Sequence, residues 1–108
     1  MTEIDFDGWK KVDLRIATVV SAEKVPKADR LLRLIVRTGN EERQIVAGIG
    51  ETHDPEQLTG RQIVLVANLK PAVIRGVESR GMLLAAVQGD STVLITPESE
   101  IADGSRVS

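Results

Sequence analysis

Between Asn68 and Met82 the chain places Lys70, Arg75 and Arg80, with Asn68 and Ser79 alongside them. These residue types suit an anionic ligand held by charge and hydrogen bonds, and they make no obvious bond-breaking set. Pro71 biases Lys70 toward extended backbone, which gives its side chain a defined direction. Gly76 follows Arg75 and Gly81 follows Arg80, so the backbone beside each guanidinium can approach a ligand closely. The Asn68 amide and the Ser79 hydroxyl each donate and accept. They either touch the ligand or cap the strand ends and brace the loop; residue type does not decide between the two.

Enzyme chemistry is hard to assemble from the rest. There is no cysteine, and the single histidine, His53, sits beside Asp54 at a helix start, where a surface position is the ordinary explanation. No serine lies in a nucleophile elbow, no phosphate-loop lysine pattern occurs, and Gly48-Ile49-Gly50 lacks the third glycine of a dinucleotide site. Two acids brought together across a barrel are the remaining catalytic option. No cofactor and no metal is expected. Phe6 and Trp9 are the only aromatic residues, which leaves no platform on which successive bases could stack. Arginines, lysines, amides and loop N–H groups suit phosphates, riboses and shape, and so favour structured RNA over single-stranded DNA.

A chain of 108 residues, 42% of them hydrophobic, has room for one core and one domain. No apolar run approaches the roughly 18–20 residues of a membrane helix, and the acidic start Met1–Gly8 has no secretory pattern, so an intracellular, cytoplasmic module with no membrane partner is expected. The net charge of −2 argues against a generally basic nucleic-acid coat. It is unevenly spread, however: residues 10–80 carry 13 bases against nine acids, between two acidic ends. A focused anion site and an ordinary solvated surface both fit that asymmetry.

The elements that must hold these residues read as short strands. Leu14–Val20 alternates, with Leu14, Ile16, Thr18 and Val20 on one face. Leu31–Arg37 alternates as well, with Arg33 and Arg37 sharing the face of Leu31 and Ile35. The turn Thr38-Gly39-Asn40-Glu41 predicts a hairpin into Gln44–Ile49, where Gly48 and Gly50 mark a bend. Asp54, Pro55 and Gln57 form a helix start of capping-box type, and Gly60 ends that helix. Gln62–Ala67 predicts a strand buried on both faces. A glycine-punctuated loop over Asn68–Gly81 follows, then a fifth strand over Met82–Val87 and a short sixth over Thr92–Ile95. Before all of these, Asp5–Lys11 predicts one helical turn presenting Phe6 and Trp9.

Five strands with one short helix between the third and fourth is the layout of an all-β OB-fold, a five-stranded Greek-key barrel, here with extra strand at the C-terminus. Such barrels bind ligands on strands two and three and with the loops joining strands one to two and four to five. Lys24, Lys27 and Arg30 fall in the first of those loops, Arg33 and Arg37 on strand two, and Lys70, Arg75 and Arg80 in the second loop. Eight of the 14 bases thus fall where that frame presents a ligand, with Glu23, Asp29 and Glu78 among them.

The stretches Asn68-Leu69-Lys70-Pro71 and Arg75 through Ala86 resemble the signature of the tRNA-binding domain appended to methionyl-tRNA synthetases. Val12–Ile16, Pro26–Leu32 and Arg43–Ile49 are similar to the same family, so the resemblance spans residues 8–108, with residues 1–7 as an N-terminal extension. It implies a noncatalytic OB-fold that grips the outside corner of the tRNA L-shape with little sequence preference. Such a domain raises the affinity of an aminoacyl-tRNA synthetase, here of methionyl type, for tRNA. On that reading Lys70, Arg75 and Arg80 contact the RNA backbone with Asn68 and Ser79 in support, and Lys27, Arg30, Arg33 and Arg37 form a second tier. The resemblance also implies a homodimer, for which Phe6, Trp9, Val93, Ile95 and Ile101 are interface candidates, unless they pack on their own barrel. Ala72, Val73 and Ile74 are apolar where family members often carry bases, which implies modest intrinsic affinity. A secretion-chaperone branch that binds extended peptides is the alternative.

Overall fold

In the computed structural model, which describes residues 1–108, β1 (Leu14–Val25) is the central strand of the sheet, and its first half is covered on both faces, with Ala17 and Val19 in the main core and Leu14 and Ile16 in a second apolar cluster. Ahead of it, α1 (Phe6–Lys10) is one turn capped by Asp5, whose carboxylate accepts from the Gly8 N–H at 2.7 Å, and it buries none of its residues. β2 (Ala28–Thr38) and β3 (Glu41–Ala47) form the expected hairpin around Gly39-Asn40, with Leu32, Leu34 and Val36 inward and Arg33 and Arg37 outward. Beyond β3 the chain passes so close beneath β2 that a Cβ on Gly50 would lie 2.3 Å from the Asp29 carbonyl oxygen.

Asp54 caps α2 (Pro55–Leu58) by accepting from the Glu56 N–H at 3.0 Å; the reciprocal bond expected of Gln57 does not form. Leu58 is carried into the core. β4 (Gln62–Val66) is buried on both faces, with Ile63 and Leu65 in the main cluster and Val64 in a second cluster with Leu14 and Ile16. Inward alternation on β1 therefore runs through Ala17 and Val19, not Val20, and a register shift follows at Val19/Ser21.

Two expectations fail between Asn68 and Leu94. The supposed loop contains a hairpin, β5 (Ala72–Ile74) and β6 (Val77–Ser79), turned at Arg75-Gly76. Strands of three residues are too short for alternation to register in a sequence. The continuous fifth strand is also broken: β7 (Met82–Leu83) pairs with β4, and the chain then leaves the sheet at Leu84. A separate hairpin follows, made of β8 (Ala85–Gln88) and β9 (Ser91–Leu94). Leu84 is the junction, donating to the Val64 carbonyl at 3.3 Å and accepting from Ile95 at 3.0 Å.

The order β3-β2-β1-β4-β7 is an all-β, five-stranded antiparallel barrel sheet with its helix between the third and fourth strands, as expected. β10 (Arg106–Val107) adds the C-terminal strand by pairing with the start of β1. The seam between β3 and the β6–β7 segment closes through one backbone bond and a few side-chain bonds. Arg80 donates its N–H to the Gln44 carbonyl at 2.8 Å, and Gln44 Nε2 donates to the Glu78 carbonyl at 2.9 Å.

Candidate nucleic-acid interface

Two hairpin tips meet at one end of the barrel. Val25 pairs with Ala28 around Pro26-Lys27, and Ile74 pairs with Val77 around Arg75-Gly76. Between the tips lies a cleft of about 370 Å³ whose walls include Lys27, Arg30, Ile74 and Arg75, with Gly48 also lining it. A smaller recess of about 190 Å³ adjoins Lys24, Arg33 and Val77. The β5–β6 hairpin is thus what carries Arg75 to the surface of β2. Lys70 and Arg80 flank the base of the same hairpin, just outside the Ala72–Ser79 pair.

The basic residues around these clefts fall into two electrostatic groups. Those on or beside β2 have acidic partners: Arg30 faces Glu51 at 3.8 Å, Arg33 pairs with Glu23, and Arg37 Nε meets Asp103 Oδ2 at 3.1 Å. Lys24, Lys27, Lys70, Arg75 and Arg80 are exposed and take part in no ion pair. Exposed pairs such as Arg30–Glu51 are weak and exchangeable, so Arg30 adds to the unpaired group more readily than Arg37 does.

Arg37 is separated from this cluster. It lies opposite Thr18 on β1, whereas Lys27 lies at the far end of β2. At about 3.3 Å per residue the two are roughly 30 Å apart along the strand. Arg37 instead joins Thr18 and Gln62 in hydrogen-bonding the Asp103 carboxylate, at 3.1, 2.6 and 3.2 Å respectively. Burial pushes the Asp103 carboxyl up, but those three hydrogen bonds and the Arg37 charge outweigh it and hold the group below its ordinary value.

Asn68 and Ser79, whose types left two readings open, are both engaged inside the fold. Asn68 Oδ1 accepts from the Asp13 N–H at 2.9 Å, and its Nδ2 donates to the Lys11 carbonyl at 2.5 Å. Ser79 is 3% exposed; its hydroxyl accepts from Val46 and donates to Gly81, each at 2.9 Å. Two further positioning residues escaped sequence reading. Gln44 holds the seam, and Arg43 donates Nε to Glu41 at 2.6 Å and Nη1 to the Ala67 carbonyl, beside Asn68. Glu41 and Arg43 sit two apart on one strand face, a signal that was present in the sequence. His53 shares a 2.8 Å hydrogen bond with Thr52, and no group of three or more His, Asp or Glu residues is placed to hold a metal ion.

Comparison with known proteins gives a consistent picture. The family model described as "Putative tRNA binding domain" matches residues 14–106. A methionine–tRNA ligase of Thermotoga maritima is 58% identical over 105 residues, which are 97% of this chain and 17% of the ligase. The chain therefore spans about one-sixth of the length of that relative. Among solved structures, a MetRS-related protein from Pyrococcus horikoshii superposes with a TM-score of 0.93 at 42% identity, covering 99% of both chains. The chaperone CsaA from Bacillus anthracis superposes with a TM-score of 0.90 at 33% identity, covering 99% of this chain and all of its own.

Proposed function

The chain belongs to the tRNA-binding domain family, and from that membership we propose that it is a noncatalytic module that binds folded tRNA by shape and backbone charge. The observation that carries this reading is that five of the nine cations outside any ion pair, Lys24, Lys27, Lys70, Arg75 and Arg80, lie on or beside two hairpins that meet at one end of a chain whose net charge is −2. Such a surface attracts phosphates locally without making the whole molecule adhesive. The module's work is to raise the affinity of an aminoacyl-tRNA synthetase of methionyl type for tRNA, in the cytoplasm. Residues 8–108 form the binding unit, and residues 1–7 extend it.

In this reading Lys70, Arg75, Arg80 and Lys27 contact ribose-phosphate backbone, with Arg30 and Arg33 on the adjoining face. Asn68 and Ser79 position the hairpin from beneath. Arg37 braces the C-terminal segment and lies outside the contact surface. A homodimer would present two such surfaces, and linked sites bind more tightly than either alone. Phe6 and Trp9, 70% and 39% exposed, are its leading interface candidates, joined by Val93, Ile95 and Ile101.

The deciding experiment is titration with bulk folded tRNA across a salt series, with a mixed pool of extended peptides as competitor. Salt-sensitive binding to folded but not denatured tRNA, unaffected by peptide, is the expected result. Peptide binding without tRNA binding at low salt would transfer the chain to the chaperone reading that the similarity to CsaA favours.

A further inference from the structure

Only two residues other than glycine have left-handed backbone, Lys27 at φ +63° and Arg75 at φ +52°. A Cβ is crowded in that region, and glycine, asparagine and aspartate are the residues that ordinarily fill it. Both positions are hairpin tips. Pro26-Lys27 has the pattern of a type II turn, with proline first and positive φ second, where glycine or asparagine is favoured. Arg75-Gly76, with φ +52° and +81°, has the pattern of a type I′ turn, whose favoured pair is Asn-Gly. At each tip the sequence places a cation where relaxed geometry asks for a small or amide residue.

The two turns are remote in sequence yet line the same cleft of about 370 Å³. Neither cation has an acidic partner, whereas Arg30 between them is paired with Glu51. The cleft has no aromatic wall on which a base could stack. Asp29 is the one acid that lines the cleft, and it is in no ion pair. Left-handed backbone at two positions that line one cleft, both cationic and both unpaired, points to a functional constraint.

The geometry points to Lys27 and Arg75 as the two prongs of a clamp that takes one stretch of RNA phosphate backbone at this cleft. The strain persists because the residues that would relax either turn carry no positive charge. This inference rests on the tRNA-binding reading and adds to it a specific pair, together with an opposition between turn stability and binding.

The test uses Lys27→Asn, Arg75→Asn and their combination, with Lys27→Arg and Arg75→Lys as charge-keeping variants. Thermal unfolding and affinity for bulk folded tRNA over a salt series are measured for each. Each Asn variant should keep or raise Tm, by roughly 2–5 °C. Its affinity should fall about fivefold to tenfold, with a salt slope shallower by about one unit. The combined loss should differ from the product of the single losses, as for groups sharing one ligand segment. The charge-keeping variants should retain the slope. Wild-type chain that binds tRNA, with Asn variants that match it in affinity and slope, overturns the clamp and leaves the tRNA reading standing. A lowered Tm in both Asn variants removes the strain argument and overturns the clamp as well. Wild-type chain that binds no tRNA removes both proposals.

Discussion

Val46 donates its backbone N–H to the Ser79 hydroxyl at 2.9 Å, and that hydroxyl donates in turn to the Gly81 carbonyl at the same distance. The contact joins β3 to the end of β6 across a seam that has few backbone bonds. With Gln44 reaching Glu78 beside it, the serine fixes the base of the hairpin that carries Arg75 at its tip. Of the two roles its residue type leaves open, the hydrogen bonds of Ser79 match the brace beneath the hairpin.

Replacing Ser79 with alanine leaves the buried Val46 N–H without its acceptor, at a cost of about 1–3 kcal/mol. The urea midpoint should drop accordingly, while the salt slope of tRNA binding is retained because no phosphate contact is removed. An unchanged midpoint would refute the bracing role.

Lys70→Ala and Arg80→Ala should each weaken tRNA binding and reduce its salt slope by about one unit. Arg37→Ala should leave the slope unaltered, because its guanidinium is bound to Asp103 at the other end of β2. Binding isotherms at four or more salt concentrations separate the two classes; a slope change in Arg37→Ala would extend the contact surface along the whole strand.

Acid should act on Asp103. Its folded carboxyl lies below the ordinary 3.8, because bonds from Thr18, Gln62 and Arg37 outweigh the upward push of burial. The unfolded chain therefore binds this proton more readily, so the stabilisation is complete above the ordinary carboxylate range and is lost as pH falls through the folded value. Asp103→Asn should lower Tm at neutral pH and flatten the wild-type loss of stability below about pH 4. Parallel acid limbs in the two proteins would count against this assignment.

Deleting residues 1–9 should convert a dimer into a monomer, because α1 buries none of its residues within its own chain and exposes Phe6 and Trp9. The cut spares Lys11, whose carbonyl Asn68 holds. Sedimentation velocity reads the outcome. A truncated chain that still sediments as a dimer would direct attention to Val87 and Val93 on the β8–β9 hairpin, 69% and 61% exposed.

The sequence by itself determined whatever is written in short-range pattern. Alternation on β2 set Arg33 and Arg37 outward, Gly39-Asn40 turned the β2–β3 hairpin, and Asp54-Pro55 started α2, because side-chain period and turn chemistry act within a few residues. Tertiary structure decided the rest. β5 and β6 have three residues each, too few to show a period, and they are recognisable only once paired. The fifth strand breaks at Leu84 because that residue bonds toward both β4 and Ile95. Arg37 left the cluster its sequence neighbours joined because its acceptor lies 66 residues away, and Ser79 turned inward to an N–H 33 residues away. A side chain's type states which bonds it can make, but only the folded chain brings the partner that it bonds.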